Sequence, residues 1–236
     1  MVPLLTFTSP PHECSYLPDR AASLHYEIVA EVTPAEYLER LTLGWRRFGH
    51  QLFRPVCVGC TACRSLRVPV AAFRPDRSQR RALAANADTR LVIGEPAVTA
   101  EKLDLYDRFH AFQAGFKGWP EHGPKDAVDY AESFVENPFP VGEWRYYRGD
   151  RLVGVGYVDH LPGAFSAIYF FYDPAERDLS LGTFNVLSIL ARAADLGVPH
   201  VYLGYYVEGC RSLEYKARFR PNEVLAGNGA WVPFLG

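Results

Sequence analysis

The chain has 236 residues, enough for one large domain or two small ones with a real core. Hydrophobic residues make up 48% of it and the net charge is −2, which excludes wholesale disorder and a uniformly basic nucleic-acid coat. No apolar run approaches the ~20 residues that cross a bilayer, and Met1-Val2-Pro3-Leu4-Leu5 carries no basic lead and no long apolar stretch, so no membrane partner and a cytoplasmic location are expected.

Thr33-Pro34-Ala35-Glu36 is a capping box with proline at the first helical position, predicting a helix that ends near Gly44. Gln51 to Val56 reads as a strand running into Cys57-Val58-Gly59-Cys60-Thr61-Ala62-Cys63, and Leu66 to Phe73 as a strand leaving it, with Val68 and Val70 on one face. Pro75 and Asp76 open a basic helix through Arg77, Arg80, Arg81 and Leu83. Leu91-Val92-Ile93 is a short strand. Helices follow at Ala100 to Ala114 and Asp126 to Val135, divided by the Gly/Pro-rich stretch from Gly115 to Pro124. Three strands come next: Glu143 to Tyr147, Leu152 to Asp159 and Phe165 to Phe171, joined by turns at Arg148-Gly149-Asp150 and Leu161-Pro162-Gly163. Leu181 to Leu196 is an amphipathic helix with Phe184, Leu187, Leu190 and Ala191 at helical spacing and Gly197 as its stop; His200 to Leu203 is a short buried strand.

Residues 1–90 form a cysteine-containing N-terminal subdomain in this reading, and 91–236 a second domain. The order strand, strand, strand, helix, strand in the latter is that of the GNAT-like acyltransferase core, an α+β fold with a mixed, largely antiparallel sheet flanked by helices. In that fold the acyl donor lies near the loop before the long helix, here Asp173 to Gly182. Two short motifs carry nothing. Arg148-Gly149-Asp150 is a hairpin turn, and Gly154-Val155-Gly156 lies inside a strand with Asp159 where a dinucleotide fingerprint needs its third glycine.

Five cysteines, an odd number, in a chain without an export signal argue against a disulfide framework. The CxxCxxC run of Cys57, Cys60 and Cys63 brings soft thiolates together and suits zinc or an iron–sulfur centre, with Cys14 the first candidate for fourth ligand and His12 the second. The alternative is a group of reduced structural thiols. Two local basic patches stand out on the slightly acidic chain: six arginines against one acid between Arg64 and Arg81, and Arg211, Lys216, Arg218 and Arg220 against Glu214. Such patches suit a polyanion held at a defined place, or merely a solvated face.

Several stretches resemble the arginyl-tRNA–protein transferases and, most closely, their bacterial aspartate/glutamate leucyltransferase relatives. They are Cys14-Ser15-Tyr16-Leu17-Pro18, Gly44-Trp45-Arg46-Arg47-Phe48-Gly49, Phe53-Arg54-Pro55-Val56-Cys57, Phe73 through Arg81, Phe171-Tyr172-Asp173-Pro174, Ser180 through Asn185, Leu203-Gly204-Tyr205-Tyr206 and Tyr215 through Pro221. The resemblance spans nearly the whole chain in order and is poor only from Gly115 to Val141. It implies transfer of an amino acid, leucine favoured and arginine the alternative, from aminoacyl-tRNA to proteins with N-terminal Asp or Glu, marking the product for proteolysis. An aminoacyl ester is already activated, so the chemistry needs no cofactor. On this reading Lys216, Arg218 and Arg220, beside Tyr205 and Tyr206, grip the tRNA 3′ end and the substrate carboxylate, Arg77, Arg80 and Arg81 meet tRNA phosphates, and Asp159, Ser166 and Tyr169 face the donor cleft, Asp159 orienting or accepting from the amine. Two other classes fit less well: an acyl-CoA N-acyltransferase, whose pyrophosphate pattern is missing after Asp173, and a noncatalytic metal-stabilised RNA-binding protein.

Overall fold

The computed structural model describes residues 1–121 and 123–234. Two sheets organise the described chain. The first is N-terminal and antiparallel. Its strands are β1 (Val2–Thr8), β4 (Leu24–Glu31), β5 (Arg46–Phe48) and β6 (Gln51–Pro55), in the order β1-β4-β6-β5, with a small β2–β3 pair (His12–Glu13 and Ala21–Ala22) in the loop after β1. The helix α1 (Pro34–Thr42) starts at the expected capping box: Thr33 Oγ1 accepts from Glu36 N at 3.3 Å and Glu36 Oε2 accepts from Thr33 N at 2.9 Å. β1 and β4 are a finding that the sequence reading lacked. β1 is an exposed edge strand with no buried residue, so it carries no alternation of apolar and polar positions to announce it.

The second sheet has eight strands. They are β7 (Arg64–Pro69), β8 (Thr89–Gly94), β9 (Val141–Arg148), β10 (Arg151–Leu161), β11 (Ala164–Tyr172), β12 (His200–Tyr206), β13 (Glu223–Leu225) and β14 (Trp231–Pro233). Their order is β14-β13-β7-β12-β11-β10-β9-β8, antiparallel throughout except for β11 beside β12. The fold is therefore α+β with a largely antiparallel sheet, as expected. β7, which leaves the cysteine loop, is wedged between β12 and β13, so a strand from the first ninety residues is an interior member of the large sheet.

Helices cover both faces. On one side α2 (Arg77–Ala85) and α5 (Leu181–Asp195) bury Ala82, Leu181, Val186, Leu187, Ile189, Leu190 and Ala193 against Val153, Phe165, Val201 and Leu203. Ala193 rather than the expected Ala191 is buried, because α5 is packed by β11, β12 and α2 together and its apolar face is broader than a single stripe. On the other side α1 and α3 (Ala100–Lys117) join Tyr130, at the end of the short helix α4 (Ala127–Tyr130), around Tyr157 and Phe171. α3 runs past Gly115 and stops where Gly118 takes the left-handed conformation at φ +68°. The expected strand from Leu66 to Phe73 stops at Pro69 and turns as a 3₁₀ segment over Val70–Ala72.

Candidate functional site

The one parallel pair of the large sheet is short. β11 and β12 are in register only at Ala164 with His200, Phe165 with Val201 and Ser166 with Tyr202. Beyond that β11 runs on to Tyr172 and β12 to Tyr206, and they part. Four successive β11 residues, Ala167 to Phe170, are half-exposed although the strand lies in the interior of an eight-stranded sheet. Side chains of an interior strand are normally covered on both faces, so the parted strands make an opening.

β5 from the N-terminal sheet supplies the residues at its apex. Arg46 Nη1 donates to Ser166 Oγ at 3.1 Å, and Nη2 donates to the carbonyl of Ala167. The guanidinium lies against Gly204 of β12, where a Cβ would come within 3.4 Å of three of its atoms; Gly204 itself is at φ +82°. A side chain at 204 would thus meet both strain and the arginine. The next residue, Arg47, goes deeper. Its side chain and that of Asp159 are both fully buried and form an ion pair. Arg47 also donates to Gly49 O and Asn137 Oδ1, each at 2.8 Å, and stacks over the Phe139 ring at 4.5 Å. Burial raises the pKa of Asp159, against the opposing pull of Arg47 and Arg46. Tyr37 beside them is pushed up to about 12 by burial and by the Asp159 charge.

Lys216 closes the other side. Its Nζ donates to the Tyr205 carbonyl at 3.0 Å, and burial together with the Arg46 charge draws it down to about 7. An amine poised there near neutrality is able to take a proton from a substrate ammonium and so free the amine as a nucleophile. Along β11, Tyr169 bonds His110 Nε2 at 2.8 Å through its hydroxyl and contacts Phe48 and Phe134; His110 stacks on Tyr106 at 4.1 Å. Burial, then the neighbouring Tyr106, raises Tyr169 well above its ordinary range, so it stays a neutral phenol. Phe48, Gln51, Lys125, Asp129, Glu132 and Ser133 line a cavity of about 240 Å³ on the outer side of this aromatic group.

The expected site residues therefore separate into three places. Ser166 is at the apex, Lys216 and Tyr205 beside it, and Tyr169 further along β11. Asp159 is under the apex, 0% exposed and held by Arg47, not presented to a substrate amine. Tyr205 and Tyr206, expected side by side, point to opposite faces of β12. Tyr205 packs with Val207 and Cys210 and its hydroxyl donates to Gly44 O at 2.9 Å; Tyr206 lies under Arg64 and against Phe234. One base cannot stack on both. Arg77, Arg80 and Arg81 are exposed on α2, with the backbone of the 215–218 turn against that helix: Gln79 Nε2 donates to Arg218 O at 3.1 Å. Arg218 also lines a small cavity with Ser78, Thr183 and Tyr215, so it joins the basic helix and not the apex. Arg220 is exposed, its Nε donating to Ala217 O at 3.2 Å.

The four cysteines are partly exposed and unpaired with one another as disulfides. Burial and the neighbouring Cys14, Cys57, Cys60 and Cys210 push Cys63 up to about 12, so the thiols gather in one region. Among the described residues, however, no three His, Cys, Asp or Glu side chains converge as a metal would require. The cysteines as placed do not form the closed four-thiolate set that their spacing suggested.

Arg46, Arg47, Tyr37 and His110 are the site residues the sequence reading did not assign. A signal for the first two was present: adjacent arginines flanked by Trp45 and Phe48 in a short strand must face both ways, and at least one then enters the interior.

Two family descriptions match the chain: arginine-tRNA-protein transferase, N terminus, over residues 12–81, and arginine-tRNA-protein transferase, C terminus, over residues 101–226. Among curated proteins, an aspartate/glutamate leucyltransferase of Pseudomonas fluorescens is 37% identical, covering 96% of this chain and 95% of its own. Proteins of the same name from Campylobacter jejuni (91% and 90% covered) and Helicobacter hepaticus (94% and 92%) are each 36% identical.

Proposed function

Because the chain belongs to the arginine-tRNA-protein transferase family, and is by that membership an aminoacyl-tRNA–protein transferase, we propose that it moves leucine from Leu-tRNA to the α-amine of proteins beginning with Asp or Glu. The product enters an N-degron pathway. The observation that carries the donor is the aromatic wall of Tyr169, Phe48, Tyr106 and Phe134 beside the opening, an apolar surface suited to a leucine side chain.

The chemistry is a nucleophilic displacement. The acceptor amine, with an ordinary pKa of about 7.7–8.0, attacks the ester carbonyl, and the tRNA 3′ oxygen leaves. Lys216 takes the amine's proton and returns it to the departing 3′ oxygen, so that the tRNA leaves with its hydroxyl restored. Ser166, Tyr169 and Asp159 shape the cleft, the last by fixing Arg47. Holding amine and ester together supplies most of the acceleration, on the order of 7–11 kcal/mol in well-oriented systems. Arg77, Arg80 and Arg81, with Arg218 and Arg220, meet the tRNA backbone, and Tyr205 and Tyr206 stiffen the strand behind Lys216. Zinc or an iron–sulfur cluster at Cys14, Cys57, Cys60 and Cys63 is supported by the spacing and by the gathered thiols, but these side chains do not converge, and no step is routed through it.

The test is transfer of radiolabelled leucine or arginine from its tRNA to peptides beginning with Asp, Glu, Ala or Lys. Leucine on the two acidic peptides alone is expected. Transfer from Arg-tRNA alone would replace the donor, and equal labelling of all four peptides would remove the acceptor rule.

A further inference from the structure

We infer that Arg46 is the residue that recognises the acceptor, pairing with the side-chain carboxylate of its acidic N-terminal residue where β11 and β12 part. The inference rests on the acceptor class proposed above and assigns it to one side chain.

The argument begins with charge. Arg46 is 7% exposed, and among the described residues no carboxylate stands within ion-pair distance of it. Its two partners are a serine hydroxyl and a backbone carbonyl, both neutral. Its neighbourhood offers little compensation. Asp159 pairs directly with Arg47 and acts on Arg46 only at longer range, and Lys216 is another cation that Arg46 already disfavours. Two guanidiniums and an amine thus face one carboxylate. A buried cation with only neutral partners is costly, and a positive site of this kind persists where an anion completes it.

The place also matters. The guanidinium sits at the point where β11 loses β12 as a neighbour, next to the half-exposed run from Ala167 to Phe170, so it borders the opening that an extended peptide end would enter. Two of its five N–H groups are spent on Ser166 and Ala167; three remain, enough for the two-oxygen embrace of a carboxylate. Gly204 matters for the same reason. Any side chain there would press on the guanidinium from the β12 side.

The exposed arginines are poorer candidates. In water a surface cation barely distinguishes Asp from Asn, since exposed pairs contribute little and are screened. Arg218 lies toward α2, and Arg220 is exposed. Discriminating a carboxylate from its isosteric amide needs a cation withdrawn from solvent, and Arg46 is withdrawn.

The experiment compares kcat/KM for peptides that differ only in beginning with Asp or Asn, using Leu-tRNA as donor. The wild-type enzyme should favour Asp by at least ~100-fold, the scale on which a buried polar site rejects an analogue that leaves it unpaired. Arg46→Gln and Arg46→Lys should reduce that preference to within about 10-fold, through the KM of the Asp peptide, while Leu-tRNA affinity stays within about twofold. Arg218→Gln with Arg220→Gln, both at exposed positions, should keep the wild-type ratio whatever happens to tRNA binding. A preference retained in folded Arg46 variants, a loss confined to tRNA affinity, or collapse of the preference in the Arg218/Arg220 variant would each overturn the assignment; the last holds even if the Arg46 variants do not fold. A wild-type enzyme that uses both peptides equally would remove the acceptor rule itself, a distinct result visible before any variant is made.

Discussion

Replacing Asp159 by Asn separates two roles that the sequence left joined. The substitution keeps shape and deletes one negative charge. In the structure that charge is fully buried and, among the described residues, is the carboxylate that pairs with Arg47. Removing one partner of a buried ion pair costs about 3–5 kcal/mol, because the other is left uncompensated. For a chain of this length each kcal/mol lowers Tm by about 2–4 °C, so the fall should be roughly 6–20 °C. Urea unfolding at pH 7, followed by the fluorescence of the four tryptophans, reads the free energy. Transfer activity is then measured at low temperature, where the variant is still folded, and should survive at a reduced level. Adding Arg47→Met should recover part of the lost stability, since removing both charges leaves no orphan. An Asp159→Asn enzyme with unchanged stability and abolished transfer would refute this reasoning and make the carboxylate the proton acceptor.

Three further outcomes follow from the same geometry. Changing Arg74, Arg77, Arg80 and Arg81 together to Gln should weaken tRNA binding and flatten its log–log salt dependence by up to roughly 0.7–0.9 per lost contact; an unaltered slope would assign these arginines to the protein's own surface. Lys216→Met should remove the limb near pH 7 from the pH profile of kcat/KM and leave the one near 8 that belongs to the substrate amine, whereas a profile identical to wild type would exclude Lys216 as acceptor. Alkaline solutions should destabilise the fold. Tyr37 is pushed up to about 12, so the native state keeps a proton that the unfolded chain releases above about 10. Its stabilising share is complete below pH 10 and is lost as pH climbs to about 12, a loss of ~3 kcal/mol. Tyr37→Phe should lessen the fall, and a urea midpoint that stays flat from pH 8 to 11 would contradict the assignment.

The secondary structure was legible wherever a local signal had a physical cause. The capping boxes at Thr33 and Asp76 open helices where expected, with Asp76 Oδ1 accepting from Gln79 N at 2.8 Å. The hairpin at Arg148-Gly149-Asp150 turns at Gly149, φ +56°. What local pattern could not supply was pairing across the chain. β13 and β14 are three-residue strands with no periodicity to detect, and β7 reads as one strand among others until it is seen between β12 and β13. The site shows the same division. Lys216 and Arg46 both stood in stretches of recognisable resemblance and Ser166 did not, but the importance of Arg46 depends on a separation of 120 residues from Ser166 that no spacing rule encodes. Tyr205 and Tyr206 illustrate the opposite error. Adjacency in sequence suggested cooperation, but in a strand it guarantees opposite faces.

The join between the sheets bears on why the chain carries its N-terminal part at all. A parallel pair that opens after three residues leaves unpaired backbone groups in the middle of a sheet, and buried polar groups must find partners. Arg46 answers that requirement for Ala167 O and carries charge into the gap, while Arg47, beneath it, donates to Gly49 O and pairs with Asp159. Phe48 then packs on Tyr169, covering the next turn of the opened strand. Three consecutive residues of β5 therefore charge, underpin and line the cleft in that order. The large sheet without β5 would expose the carbonyl of Ala167, leave Asp159 as a buried anion with no counterion, and uncover the aromatic wall proposed to hold the donor side chain. On this geometry the large sheet supplies the opening and the N-terminal sheet supplies the arginines at its apex, so deletion of the latter removes part of the site and not merely an accessory to it.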